Sequence, residues 1–175
     1  TLEALLTGQA DLALGVTVDG TAAPGLHCAP LGEVAFVFVV APHHPLAAVP
    51  APLTPADLQA HRVVAVADST QRGSGLTYGL LPGQDVLTVP TMQHKLEAQL
   101  RGLGCGSLPQ PLVQPYLDAG RLVAKTTTLP PRLYHPGYAW HAGQRGQEPG
   151  RALAWWLEQL DHTNTRHALL HRHIQ

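Results

Sequence analysis

Cysteine, charge, aromatic residues and long apolar runs are all scarce in this chain, and each scarcity narrows what it can be. Cys28 and Cys105 are its only 2 cysteines, far apart among 175 residues. A chain of that size buries enough surface to fold without staples, so the pair reads as two free thiols in a reducing compartment. Charged residues make up 13% and the formal net charge is −1. Lysine occurs only as Lys95 and Lys125, and the arginines are scattered. Phosphate binding needs clustered Lys and Arg, so the chain is not expected to hold DNA by itself. No run approaches the roughly 18–20 apolar residues that span a bilayer. What is present in quantity is apolar side chain, 45% of the total. That suffices for the core of one ordinary domain or of two small lobes.

The apolar content is most concentrated from Val34 to Val40, where only Ala35 is neither β-branched nor aromatic. Such a run reads as a strand buried on both faces. It stops at Ala41-Pro42, where proline can no longer donate to a ladder. A Pro-His-His-Pro turn follows, as expected where a chain leaves one lobe to build another. Upstream, Leu2, Leu5 and Leu6 fall at helical spacing before a Gly8 stop. A domain rarely opens on an unsupported helix, so further sequence is expected before Thr1.

The remaining pattern alternates strands with helices. Asp11–Gly15 and Leu26–Pro30 read as short strands, with a loop from Val16 to Pro24 between them. Thr54-Pro55-Ala56-Asp57 is a helix start, with Thr as N-cap, Pro in the first position and an acid facing the dipole. Strands are expected at His61–Ala67, Asp85–Val89, Leu103–Leu108, Arg121–Lys125 and Leu133–His141. Helices are expected from about Met92 to Arg101, with a Glu97/Arg101 pair, and from Gln110 to Ala119. The last clear helix is Pro149–Leu160, presenting Leu153, Trp156, Leu157 and Leu160 to a sheet. Such alternation predicts an α/β fold with parallel sheets. The segment from Asp161 to Gln175 reads as a polar, histidine-rich, peripheral tail.

Several motifs invite a chemical reading and resist it. Gly102-Leu-Gly-Cys-Gly106 lacks the strand-then-helix order of a phosphate loop, and helix stop with close packing accounts for it better. Cys105 has no paired base and reads as a small packed thiol, despite His94 on the preceding helix. Side chains of the adjacent His43 and His44 diverge in an extended turn. His167, His171 and His173 offer two imidazoles at i,i+4, but no acid or thiol joins them at ligand spacing. No metal site, cofactor site or catalytic constellation is expected, and the chain does not read as an enzyme. Asp68–Gly75 is different, since polar residues after an apolar strand are where open α/β sheets bind ligands. Asp68, Ser69 and Thr70 are candidate contacts there. Thr91 and Met92 open a helix whose amides could meet an acceptor, and Thr17 sits just past the first strand.

Three segments together resemble one family. Leu5-Leu-Thr-Gly-Gln-Ala-Asp-Leu-Ala-Leu-Gly15 is similar to the L-L-x-G-x-x-D-L-A-L segment of LysR-type transcriptional regulators. Val40-Ala-Pro-His-His-Pro-Leu-Ala47 resembles their H-P-L-A turn. Leu103-Gly-Cys-Gly-Ser-Leu-Pro109 and Leu117-Asp-Ala-Gly-Arg-Leu-Val123 resemble their G-x-G-x-x-x-L-P and L-x-x-G-x-L-V signatures. The order and spacing cover residues 2 to 123, and the helix with Trp155 and Trp156 fits the family's C-terminal end.

The resemblance implies a C-terminal effector-binding domain, an α/β fold of two Rossmann-like lobes joined by two crossover strands, like a type 2 periplasmic binding protein. Lobe I would comprise residues 1–39 plus 134–175, incomplete at its N-terminus, and lobe II residues 40–133. A small aromatic or carboxylate effector would lie in the interlobe cleft. The matching positions are Thr17, Asp68, Ser69, Thr70, Thr91 and Met92. DNA contact would come only through a winged helix-turn-helix that this chain lacks, in a cytoplasmic homodimer or homotetramer with no membrane association. His43 and His44 then become turn residues at the entrance to lobe II. A free-standing solute-binding protein of the same architecture is the alternative.

Overall fold

The apolar run is indeed a strand, β3 (Val34–Val40), in the computed structural model, which describes residues 2–17, 25–67, 80–141 and 150–171. The chain divides into two units, one formed by Thr1–Val34 with Leu133–Gln175 and the other by Ala35–Arg132. No helix among the described residues is long and apolar enough to cross a membrane.

In the first unit, β9 (Pro136–His141) lies between β1 (Leu12–Thr17) and β2 (Leu26–Pro30), antiparallel to both. Successive side chains of a strand point to opposite faces, and β9 uses both. Ala139 packs with Leu5 of α1 (Leu2–Leu6), Ala13 and Val16. Its neighbour Tyr138 packs on the other face with Leu31 and with Leu160 of α5 (Arg151–Asp161). Ala13 and Val16 are three residues apart yet share a face because the register shifts between Leu14 and Val16. Gly15 makes that bulge at φ +76°, a conformation open to glycine, and its carbonyl accepts a 2.8 Å bond from the Tyr134 hydroxyl.

The second unit is built around β3. It pairs antiparallel with β6 (Gly106–Pro109) and β7 (Val123–Lys125), and the short strand β8 (Arg132–Tyr134) begins at the unit's last residue. Val39 and Val40 are fully buried on opposite faces. Val39 lies with Leu96, Leu108, Val113 and Leu122, under α3 (Met92–Leu100) and α4 (Gln110–Asp118). Val40 lies with Leu46, Leu53, Leu58 and Cys105, under α2 (Pro55–Gln59). Double burial therefore holds at that end of the strand. It fails from Ala35 to Phe38, which are only half-buried because Phe36, Val37 and Phe38 wall a cavity. Thr54 caps α2 as its sequence predicts, in a reciprocal capping box with Asp57.

The expected parallel pairing holds for β4 (Val63–Val66) with β5 (Val86–Val89) and for isolated bridges such as Val63 to Cys105, whereas β9 with β1 and β2, and β3 with β6 and β7, run antiparallel. Helix–strand alternation identifies elements but not partners, and β9 enters its sheet from the far end of the chain. The tail is also more ordered than its polarity suggests. Thr163–His171 forms α6, whose Leu170 reaches the Leu31–Tyr138–Leu160 cluster. On α5, Leu153 and Leu160 dock as expected, whereas Trp156 stays 38% exposed, edge-to-face with Trp155.

His44 is the N-cap of a short 3-10 turn at Pro45–Ala47, its Nδ1 accepting from the Leu46 amide at 3.2 Å. That acceptor exists only on the neutral ring. Burial, then the His61 and His43 imidazoles, hold its pKa below the usual 6.5. The unfolded chain therefore binds more protons here once pH falls below about 6.5, and stability is full above that value and declines beneath it. His44→Asn, which keeps an acceptor but cannot titrate, is expected to shrink the loss of melting temperature between about pH 7.5 and 5.5. An unchanged loss would assign the acid sensitivity elsewhere.

Candidate functional site

The second unit holds a cavity of about 420 Å³. Its walls come from β3, β4, the first turns of α3, β6 and the stretch from Ala124 to Arg132. Phe36, Phe38, Val64 and Met92 give it an apolar lining. Such a pocket, apolar with few convergent polar groups, has the size and character of small-molecule sites.

Its polar character comes from α3. Thr91 caps that helix, its hydroxyl accepting from the His94 amide at 3.3 Å and lying 2.7 Å from His94 Nδ1. Met92, the first helical residue, lines the cavity and packs on the core below. Lys95 follows one turn later on the same side and also lines it. Among the described residues its ammonium has no hydrogen-bond or ion-pair partner. Burial is the main reason its pKa is pulled from 10.5 down to about 8, with the Arg132 guanidinium adding to the effect and the Cys105 thiol opposing it. Arg132 lies over the Phe36 ring, 4.2 Å from its centroid. Lys125 lines the cavity too, but its head is anchored to the Ala47 and Val49 carbonyls. No carboxylate is found among the described lining residues.

Behind this surface, Gln99 is completely buried and neither of its amide atoms has a partner among the described residues. A Cβ placed on Gly106 would sit 3.1 Å from Gln99 Nε2 and 3.4 Å from Lys95 Nζ. The bare backbone of Gly106 is what lets both polar heads approach β6. Cys105, next in line, is buried, and desolvation pushes its thiol up to about 11. It donates to the Arg62 carbonyl at 3.3 Å and acts as packing. The His167 and His171 rings lie with centroids 4.5 Å apart, tilted by 35°, but the described residues contain no group of three or more side chains able to hold a metal.

Of the residues singled out from sequence, Met92 faces the cavity and Thr91 starts the helix that carries it. Thr17 ends β1 in the first unit, paired with Pro136. Asp68, Ser69 and Thr70 lie outside the described residues. Lys95 and Gln99 are not among the positions that sequence reasoning singles out. Met92, Lys95 and Gln99 recur at i, i+3 and i+7, beside the apolar stripe of Met92, Leu96 and Leu100. A polar line next to a core stripe and opposite a glycine-rich strand is the signal that could have found them.

Comparison with known proteins places this geometry in context. The family model for the LysR substrate binding domain matches residues 1–163. The chain is 36% identical over 158 residues to the uncharacterized HTH-type transcriptional regulator YeeY of Escherichia coli, covering 90% of this chain and 50% of that protein. It is 40% identical over 124 residues to the HTH-type transcriptional activator AllS of Klebsiella pneumoniae, covering 71% of this chain and 46% of that one. Among solved structures it is similar to full-length LysG of Corynebacterium glutamicum with bound effector Arg. The TM-score is 0.66 at 22% identity, over 95% of this chain and 54% of that one. The chain thus spans about half the length of the curated relatives it matches.

Proposed function

The chain belongs to the LysR substrate-binding-domain family, and from that membership we propose that it senses a small effector on behalf of a DNA-binding regulator. Its relatives are HTH-type transcriptional regulators rather than free-standing solute-binding proteins or enzymes. The observation that carries the reading is the cavity of about 420 Å³ in the second unit, apolar-walled and supplied with an ammonium that has no partner among the described residues. In the whole protein, effector binding would bias two conformational states, and a helix-turn-helix outside this chain would read out the shift on DNA. Homodimeric or homotetrameric assembly and a cytoplasmic location follow from the same reading. Met92 contacts the effector from the cavity wall. Thr91, Asp68, Ser69, Thr70 and Thr17 remain candidate contacts. The bound arginine of LysG supports a ligand of amino-acid or small carboxylate size.

The test is to fill the cavity without disturbing the core. Ala124 lines it from an exposed position on β7. Ala124→Trp is therefore expected to leave the fold intact and to abolish thermal stabilisation by any effector found in a metabolite screen. A loss of affinity of about tenfold or more is expected, since the new side chain occupies the space the ligand needs. Unchanged stabilisation would move the site away from this cavity.

A further inference from the structure

We propose that the Lys95 amine is a covalent capture site, forming a reversible imine with a small aldehyde or ketone that carries an apolar body. The proposal goes beyond the effector reading and stands apart from it, since it needs only the cavity and the amine.

The geometry begins with access. Lys95 is half-buried and lines the cavity of about 420 Å³, so its head is desolvated yet reachable from that space. The bare backbone of Gly106 lets it lie along β6, where an added Cβ would stand 3.4 Å from Nζ and 3.5 Å from Cε. Among the described residues Nζ has no hydrogen-bond or ion-pair partner. Lys125, the chain's other lysine, lines the same cavity, but its ammonium donates to the Ala47 and Val49 carbonyls. Such an amine must break those bonds before its lone pair can attack. Lys95 carries no such cost.

The charges around Lys95 favour its neutral, nucleophilic form. On its own helix, Glu97 is paired with Arg101, and His94 is engaged by the Thr91 cap. The strands β4 and β5 contribute only valine, alanine, leucine and threonine. Next to β6 stands the Cys105 thiol, pushed up to about 11 and therefore neutral. From β7 and β8 come Lys125 and Arg132, both cationic. Burial first, and then Arg132, bring the Lys95 pKa down to about 8. At about pH 7.5 roughly a quarter of such amines are neutral, against about one in a thousand at the ordinary value of 10.5. Desolvation in an apolar pocket and a neighbouring cation are the two ways a lysine is activated as a Schiff-base nucleophile.

The step balances without oxidant or reductant. The ammonium first gives one proton to solvent. The Nζ lone pair then adds to the carbonyl carbon, forming a C–N bond, and a second proton passes from nitrogen to the former carbonyl oxygen. When the C–O bond breaks, the hydroxyl leaves with the last nitrogen proton as water, and the C=N bond forms. Ser107 and Thr126 line the cavity with hydroxyl groups able to hold that oxygen. The product is a neutral imine, which suits a site where burial and Arg132 both oppose positive charge. Phe36, Phe38, Val64 and Met92 select a hydrocarbon or aromatic body for the ligand, and its packing there excludes the water that reverses the reaction.

The experiment incubates the whole chain with 3-methylbutanal or benzaldehyde, or with the corresponding alcohols. Borohydride is then added, which reduces any imine to a stable secondary amine. Peptide mass mapping assigns the label among Lys95, Lys125 and the α-amino group. Lys95 is expected to be labelled faster than Lys125 by about tenfold or more. Its labelling should rise through about pH 8, and the alcohols should leave no label. Lys95→Arg keeps the charge, forms no stable imine, and should lose the cavity label while unfolding as the wild type does. Ala124→Trp, which fills the cavity, should slow labelling of Lys95 by about tenfold. Equal labelling of the two lysines overturns the proposal, as does labelling of Lys95 that rises only near about pH 10. So does undiminished labelling in Ala124→Trp. An unlabelled Lys95 overturns it as well, and leaves the effector reading to its own stabilisation test.

Discussion

Replacing Leu108 by alanine is expected to lower the stability of the second unit by about 3 kcal/mol, within the range of roughly 2–5 kcal/mol typical of buried Leu→Ala changes. Leu108 is fully buried on β6, opposite Val37 on β3, and belongs to the cluster of Val39, Leu96, Val113 and Leu122. Every wall of that cluster is regular structure: β3, β6, α3 and α4, with Leu122 just before β7. Elements held by hydrogen bonds collapse little into a void, which places the expected loss above the lower bound. Val37 and Met92 pack on the cluster from the cavity side, so the same substitution loosens the cavity wall. Denaturant unfolding followed by circular dichroism should show the reduced midpoint, with a melting temperature lower by something on the order of 10–20 °C. A loss under about 1 kcal/mol would mean that the cluster is not close-packed.

Gly104→Ala is expected to cost about 2–3 kcal/mol, for the opposite reason. The trouble is excess volume, not a void. A Cβ at that position would lie 2.7 Å from the Arg62 carbonyl oxygen and 3.0 Å from Val64 Cγ2. The first contact is with backbone, which no rotamer can relieve. That carbonyl already accepts from the Cys105 amide at 2.9 Å and from its thiol at 3.3 Å. Adding a methyl group must push β4 away from Cys105, just before β6, breaking the bridge between Val63 and Cys105. Since Val64 lines the cavity, ligand binding should weaken in parallel with stability. Wild-type unfolding and unchanged binding in Gly104→Ala would show that the two segments can part without consequence.

How much of this is legible in the sequence depends on how far apart the deciding residues lie. The start of α2 is readable because Thr54, Pro55 and Asp57 form their capping geometry within one turn. So is the extent of β3, whose composition has one meaning at that length. The three LysR-like segments lie in order along the chain and point correctly to the family and to the fold. Pairing is not legible. The face shared by Ala13 and Val16 depends on a bulge at Gly15 held by Tyr134, and nothing near Gly15 announces that partner. Lys95 escapes a reading of the sequence because a lysine beside an apolar stripe normally reaches water. Its burial beside Gly106, with the cation at Arg132 adding to the effect, gives it its character. Thr91 is legible as a helix start, and its hydroxyl caps that helix.

The strand order β1-β9-β2 also dictates a timetable. Neither β1 nor β2 pairs with the other, so the first unit has no sheet among its described strands until residues 136–141 arrive between them. The second unit, by contrast, is one uninterrupted stretch from Ala35 to Arg132. Synthesis runs from the N-terminus, and domains generally fold as they emerge. The cavity-bearing unit is thus complete on the ribosome while β1 and β2 still wait as unpaired edges. Closing that wait requires bringing together Pro30 or Thr17 with Pro136, segments far apart along the chain, which is slow and leaves edge strands open to wrong partners. The vulnerable moment in the life of this molecule comes before β9 is in place, and it belongs to the unit that does not carry the cavity.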